Sequence, residues 1–217
     1  MYPPAHFTEP RPEILLPAMR AHSFATVITA VDGVPLASHV PVVVDEGAAG
    51  AIKIRGHVAR ANPHWKQMEA GAPVLAIFHG PHGYVSPSWY EDGAKSVPTW
   101  NSVAVHAHGR ARLLDPSELR ASLNDLVAAH EGSAADRWRF DSLPAEYADK
   151  LMRAIVGFEL AVERLEGKLK LSQNRSPDDR RRVREQLQGS ADPMARDVAR
   201  WMERLANPTV DDDARKP

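Results

Sequence analysis

Four polar residues that could bind an anion stand close together after a short β-rich stretch. They are His57, Arg60, Asn62 and His64, all within residues 56–65. A strand that ends at a glycine and leads into a helical turn leaves free backbone N–H groups, which favour negative charge, and arginine adds a bidentate grip on phosphate. The stretch therefore predicts a phosphate site, and an ordinary polar surface turn is the alternative.

A second group of residues could form the wall of a pocket for a flat ligand. Residues 80–100 are rich in proline and glycine and carry Tyr84, Trp89, Tyr90 and Trp100. Long aromatic loops are often functional, because stacked rings supply both contact area and orientation. The alternative is a loop whose aromatic side chains only pack it onto the rest of the fold.

Basic and amide side chains gather again near residue 170. Lys168 and Lys170 share one face of a predicted strand, and Gln173 and Asn174 follow in an irregular stretch. A phosphate or the polar edge of a planar ligand could bind these groups, whereas a solvated basic face is the alternative. The next two residues, Ser176 and Pro177, are typical of a helix start.

Other motifs leave the chemistry open. His106 and His108 share a strand face, but no third ligand lies nearby in sequence, so we expect no metal site. Haem ligation by a histidine is conceivable, although nothing in the sequence selects one. Four of the five residues 180–184 are arginines, which could contact DNA, an acidic partner or only solvent. No serine–histidine–acid pattern is found, so catalytic residues stay unknown and enzymatic activity undecided.

Composition limits the class of protein. The chain has 217 residues, 43% of them hydrophobic, and a net charge of −1, which argues against coating nucleic acid through bulk positive charge. It has no cysteine, so disulfides and thiolate chemistry are excluded. The sequence predicts neither a membrane-spanning segment nor a signal peptide, and we expect a cytoplasmic protein without membrane contact.

Short strands joined by turns must position these groups. β-branched or alternating segments predict strands over 24–30, 34–44, 51–56, 73–78, 103–113 and 155–165. Helices are predicted over 13–22, 59–70, 119–127, 177–188 and 193–205, with another after Pro144. This pattern indicates a mainly β fold with flanking helices (α+β), its antiparallel sheet closed into a small barrel.

Several segments together resemble one family, the PaiB-type FMN-binding negative transcriptional regulators. The matching segments are residues 1–7, 38–41, 56–63, 80–90, 97–101, 105–106 and 168–175. The similarity runs from Met1 to about Leu187. Ser102 departs from it, because the family usually has tyrosine at that position.

The resemblance implies an FMN-binding split β-barrel with C-terminal helices, in a homodimer whose flavin site lies at the subunit interface. It favours His57, Arg60 and Asn62 as the phosphate site. The other cofactor-binding residues that we expect are Lys168, Gln173, Asn174 and Trp100. The implied function is transcriptional repression, for which the basic C-terminal region is a possible DNA-binding surface, and the alternative is a flavin- or haem-dependent oxidoreductase. We expect a barrel domain over 1–176, a helical appendage over 177–206 and a disordered tail over 207–217.

Overall fold

Alternating burial runs along most strands of this structure, a computed structural model that describes residues 1–2, 4–132 and 137–206. The strands are β1 Thr8–Glu9, β2 Phe24–Val31, β3 Val34–Glu46, β4 Ile52–Ala59, β5 Pro73–Val85, β6 Thr99–Leu113 and β7 Ile155–Lys170. The helices are α1 Pro12–Ala21, α2 His64–Glu69, α3 Pro116–Glu131, α4 Ala145–Arg153, α5 Pro177–Gln188 and α6 Pro193–Ala206.

The strands form one sheet in the order β1-β7-β4-β3-β2-β5-β6, and β6 also pairs with β7. Every pair with a defined register is antiparallel. The additional pairing closes six strands into a ring and leaves the short β1 attached to β7. Closure satisfies the backbone groups that an open sheet leaves at its edges.

The hairpin of β2 and β3 shows how the local sequence determines this sheet. Its turn is Asp32-Gly33, with φ values of 53° and 77°, a left-handed conformation that aspartate and glycine tolerate. Ala25, Val27 and Thr29 are buried on one face of β2, while the residues between them are less buried. The turn therefore sets the register, and the alternation orients the apolar face inward.

The chain divides into two compact units, which are described separately. Unit 1 contains Met1–Leu15, His79–Val105 and the chain from Glu166 onward, and unit 2 contains Leu16–Phe78 and His106–Leu165. In unit 1, buried residues such as Val183 and Leu187 of α5 lie beside those of α6. In unit 2, a core cluster joins Leu119 of α3 to Met152 of α4.

Most predicted elements are confirmed, although several boundaries differ, as two examples show. The helix predicted over 59–70 begins only at His64, because Pro63 precedes it and residues 60–63 form a turn. The predicted loop over 80–100 is in part a strand, since β5 continues to Val85. A Cβ at Gly80 would lie 2.9 Å from the Val103 backbone oxygen, so this glycine permits close strand contact instead of ending the strand.

Helix starts follow the predicted capping chemistry. The Ser176 side chain accepts a hydrogen bond from the Asp179 backbone N–H at the start of α5, and Pro177 occupies the first helical position. Both C-terminal helices lie close to their predicted ranges. The domain boundary at residue 176 stays a prediction, and the tail predicted over 207–217 lies outside the described residues.

Among the described residues, none of the helices has both the length and the apolar character needed to cross a bilayer.

Gly109 on β6 is the sharpest steric test of the fold. A Cβ there would overlap the Ala161 carbonyl oxygen of β7, and backbone has little freedom to move aside. We therefore expect Gly109→Ala to lower the free energy of unfolding by at least ~1–3 kcal/mol, the usual cost of overpacking. Urea unfolding measures this loss. Gly47→Ala is the control, because its nearest neighbour would lie at an ordinary 3.5 Å. Equal stability of both variants would contradict the strand contact.

Candidate functional site

The turn between β4 and α2 is held by a buried network in unit 2. Asn62 donates from Nδ2 to Ser38 Oγ at 2.9 Å, and its Oδ1 accepts from the His64 backbone N–H at 3.0 Å. Ser38 Oγ also lies 2.9 Å from His64 Nδ1. Asn62 thus shapes the predicted phosphate turn, while both of its amide atoms are used within the chain.

His64 is the most deeply buried member of this network. Its exposure is 0%, and its Nε2 has no hydrogen-bond partner among the described residues. Burial lowers the pKa of His64, because the charged imidazolium would lose its hydration. Ser38 accepts from Asn62, so its hydroxyl can donate to His64 Nδ1, an arrangement that suits a neutral imidazole.

Arg60 and His57 flank this turn in different environments. Arg60 donates from Nε to the Arg153 carbonyl at 2.8 Å and from Nη2 to the Ile155 carbonyl at 3.1 Å. Its guanidinium therefore covers the end of α4, and Nη1 is left to reach a ligand. His57 is half-buried on β4, and desolvation lowers the pKa of its imidazole, so it is a neutral donor rather than a cation near pH 7.

Three cations lie together in unit 1. Lys168 donates to the Tyr2 carbonyl at 3.3 Å, Lys170 is hydrogen-bonded to Thr99 Oγ1, and the Arg175 guanidinium stacks 4.2 Å from the Tyr90 ring centre. Burial lowers the pKa of Lys170 most, and the positive charges of Lys168 and Arg175 lower it further.

Within residues 1–2, 4–132 and 137–206, none of these three side chains forms an ion pair with a carboxylate. We call Lys168, Lys170 and Arg175 the cation cluster. Like charges held together without an anion raise each other's energy, and a bound anion relieves that cost. The cluster is therefore suited to a phosphate group.

The turn after β7 fixes the remaining predicted residues of unit 1. Gln173 Oε1 accepts from the Leu171 backbone N–H at 2.7 Å, and Gln173 Nε2 donates to the Leu169 carbonyl. Asn174 is exposed beside it. Gln173 therefore shapes the turn, and Asn174 is the amide that faces outward.

Four rings of unit 1 form an exposed group that we call the aromatic cluster. The ring centres of His82 and Tyr84 each lie 6.1 Å from that of Trp100, and His79 lies 5.7 Å from His82. Trp100 is 56% exposed and Tyr84 46% exposed, which is high for such large apolar groups. The cluster offers ring faces on which a planar molecule could stack.

A buried pair that the sequence analysis missed supports Trp100. Asn101 is 0% exposed, donates from Nδ2 to Ser172 Oγ at 3.0 Å, and accepts from the same hydroxyl at 3.2 Å. Ser172 has a positive φ of 64°, unusual for a serine. The separation of 71 positions in the sequence explains why no local pattern revealed the pair.

Comparison with known proteins identifies the family. Residues 1–164 match the family model described as "Putative FMN-binding domain". The chain belongs to this FMN-binding family. It is also 37% identical over 203 residues to the "Protease synthase and sporulation protein PAI 2" of Bacillus subtilis, covering 94% of this chain and 97% of that one. The PaiB-type resemblance and FMN as the cofactor are thereby confirmed.

Solved structures confirm the fold class. The FAD and haem binding protein of Mycobacterium smegmatis is 18% identical with a TM-score of 0.58, covering 80% of this chain and 78% of that one. The flavocytochrome Anf3 of Azotobacter vinelandii is 17% identical with a TM-score of 0.57, covering 75% and 69%. The mainly antiparallel split barrel expected from the sequence is therefore correct.

The donor set present in the chain fits FMN. The cation cluster suits its phosphate and the aromatic cluster suits its ring system, both in unit 1, and Lys168, Gln173, Asn174 and Trp100 belong to this region. His57, Arg60 and Asn62 lie together in unit 2. Contact of each of these residues with the cofactor stays a prediction. When bound, FMN supplies a redox-active ring, and the protein supplies position and charge.

Histidine burial makes stability depend on pH. The pKa values of His22, His57 and His64 are lowered by desolvation. The unfolded chain, with histidine pKa values of about 6.5, then binds more protons than the folded chain as pH falls through 6.5. We expect the free energy of unfolding to be highest above pH 7 and to fall from pH 7.5 to 5.5.

Urea unfolding at pH 7.5, 6.5 and 5.5 measures the slope, which is at most about 1.4 kcal/mol per pH unit for each histidine. In His64→Gln the slope should be shallower, because one of the three groups is gone. A stability that stays level or rises as pH falls would contradict this reading of the buried imidazoles.

Proposed function

We propose that this chain is an FMN-binding negative transcriptional regulator that acts as a homodimer in the cytoplasm. Membership of the FMN-binding family is the observation that carries the cofactor part. The regulatory part is supported by the similarity to the "Protease synthase and sporulation protein PAI 2". A cofactor in a regulator would couple the binding of DNA to the presence or redox state of the flavin.

The cation cluster supports a phosphate-bearing cofactor rather than a neutral planar ligand. Lys170 is partly buried and donates a hydrogen bond to Thr99 Oγ1. Thr99 directly precedes Trp100, which belongs to the aromatic cluster. Arg175 donates to Ser96 Oγ at 3.4 Å and is fixed against Tyr90. The segment 96–100 thus brings phosphate-binding charge and stacking surface near each other within unit 1.

Helix α5 supports contact with DNA phosphates. Arg181 pairs with Glu185 at 3.2 Å, and Arg182 lies 3.9 Å from Glu91. Arg180 and Arg184 have no carboxylate partner in the described part of the chain. They are four residues apart and line one hollow of about 250 Å³ together with Arg181. Because the net charge is only −1, binding to DNA would depend on this local surface.

An oxidoreductase is the second candidate, and the aromatic cluster favours it. His79, Tyr84 and Trp100 are exposed, so a second planar molecule could approach a ring bound there. The absorbance spectrum of the purified protein separates the cofactors. We expect flavin bands, whereas a Soret band lost on mutation of a single histidine would favour the haem alternative.

The first functional prediction concerns FMN affinity. Lys168→Gln should weaken FMN binding by about 1.5–3 kcal/mol, because a charged hydrogen bond to phosphate is lost. Quenching of flavin fluorescence during titration of the apoprotein measures the affinity. The control is Lys95→Gln, because Lys95 is exposed and already pairs with Asp92 at 2.8 Å.

Arg60→Ala in the same titration tests the other predicted phosphate group. A loss with Arg60→Ala alone would place the phosphate on the turn of unit 2, and a loss with Lys168→Gln alone would place it at the cation cluster. Unchanged affinity in both variants would remove both residues from the cofactor site.

The second functional prediction concerns DNA. A promoter fragment should bind with a steep salt dependence, and the double variant Arg180→Gln/Arg184→Gln should reduce the log–log salt slope by about 3.6, since a homodimer loses four phosphate contacts and each contributes about 0.9. Two chains per site are expected for a homodimer. Arg200→Gln is the control, because Arg200 is exposed on α6 and pairs with Asp197. Equal weak binding to promoter and scrambled DNA would contradict specific repression.

A further inference from the structure

A cleft of about 620 Å³ opens in unit 2, beside the start of β7. Its volume lies within the range of pockets that enclose small organic ligands. The walls are largely apolar and come from five different elements. The apolar lining includes Trp65, Leu113, Leu114, Leu119, Met152 and Ile155.

The walls of this cleft are held by packing behind them. Leu119 and Met152 belong to a buried cluster with Phe140 and Ala148, and Leu114 packs against that cluster. Trp65 is fixed by a hydrogen bond from its Nε1 to the Arg60 carbonyl at 3.0 Å. The cleft is therefore formed before any ligand arrives, which lowers the entropy cost of binding.

Charged groups stand at the rim of the cleft. They are Arg60, Arg153, Glu69 and Asp149. Asp149 is already paired with Arg120 at 2.9 Å. Arg60 uses Nε and Nη2 on backbone carbonyls, and neither Arg153 nor Glu69 has an ion pair among the described residues. Arg120 also pairs with Asp141, so it offsets only part of the Asp149 charge, and the two rim arginines face Glu69 and a partly neutralised Asp149.

We propose that this cleft binds a small amphipathic monocarboxylate, with an aromatic or branched aliphatic body and a single negative charge. The carboxylate pairs with Arg153 and with Nη1 of Arg60, and the body packs against Trp65 and the leucines. The two rim arginines can hold a single negative charge between them. A phosphate dianion fits less well, because Glu69 and Asp149 would repel it. The proposal assigns Arg60 to this ligand and the flavin phosphate to the cation cluster, and it does not depend on the proposed regulatory role.

The experiment uses the full-length FMN-loaded protein and two probes of equal shape. Phenylacetate carries the carboxylate, and phenylacetamide replaces it with a neutral amide. Isothermal titration calorimetry should show phenylacetate binding roughly tenfold to hundredfold more tightly, because a charge-assisted hydrogen bond is lost with the amide. Quenching of Trp65 fluorescence gives a second readout, which Trp65→Phe should abolish.

Variants of α4 locate the binding site. Arg153 is exposed at the end of this helix, so Arg153→Gln should fold normally and should weaken phenylacetate about tenfold while leaving the amide unchanged. Lys150→Gln is the matched control, because Lys150 is exposed on the same helix but does not line the cleft. Loss of phenylacetate affinity in Arg153→Gln alone supports the proposal.

Three results would overturn it. Equal affinity for phenylacetate and phenylacetamide would show that the charges at the rim do not contribute to binding. If neither probe binds, this class of ligand is excluded. Displacement of phenylacetate by FMN from the apoprotein would assign the cleft to the flavin site. Failure of the DNA assay, or of FMN binding to the unsubstituted protein, would refute the proposed function and not this cleft.

Discussion

The buried hydrogen bonds between Asn101 and Ser172 constrain the site of unit 1 more than any other interaction. Two hydrogen bonds between buried groups join the start of β6 to the turn after β7. Breaking one would leave a buried polar group unsatisfied, which costs about 1–3 kcal/mol. Because Trp100 and Gln173 are next to these two residues in the chain, the pair determines where the ring and the amide stand.

The backbone of Ser172 adopts a strained conformation when its side chain makes this contact. Its φ of 64° places it in the left-handed region, where a serine is uncommon. Gln173 supports the conformation through bonds to the backbone of Leu171 and Leu169. The turn is therefore over-determined by its neighbours, and strain of this kind is typical of segments that position functional groups. Arg175 follows in the same turn, and its guanidinium stacks on the Tyr90 ring. The conformation of this turn therefore positions both Gln173 and Arg175.

Local patterns in the sequence were sufficient for the elements but not for the contacts between them. The β2–β3 hairpin follows from Asp32-Gly33, and the start of α5 follows from Ser176-Pro177. Gly80 was misleading, because a glycine can end a strand or permit close packing, and only the position of Val103 decides between the two.

Hydrogen bonds between residues that are distant in the sequence could not be predicted from local patterns. Ser38 and His64 are 26 residues apart, and neither belongs to a pattern that points to the other. The predicted site residues fall into two groups, one in each unit, and residue types and spacing indicated both regions before the resemblance favoured them. The run of arginines over 180–184 was visible in the sequence. Which of these arginines form ion pairs with carboxylates depends on the residues that lie beside α5 in the fold.

The distribution of paired charges separates structural from ligand-binding groups. In unit 2, Arg55 bonds to Asp45 and Asp125, Arg112 to Glu118 and Glu159, and Arg120 to Asp141 and Asp149. These arginines are neutralised by carboxylates of the same unit and serve packing. In unit 1, the cation cluster is satisfied by a carbonyl, hydroxyl groups and aromatic rings, which hold the side chains in place without cancelling their charge. Cations fixed by neutral groups retain their attraction for an anion, so a chain with almost no net charge can still offer a strongly basic site.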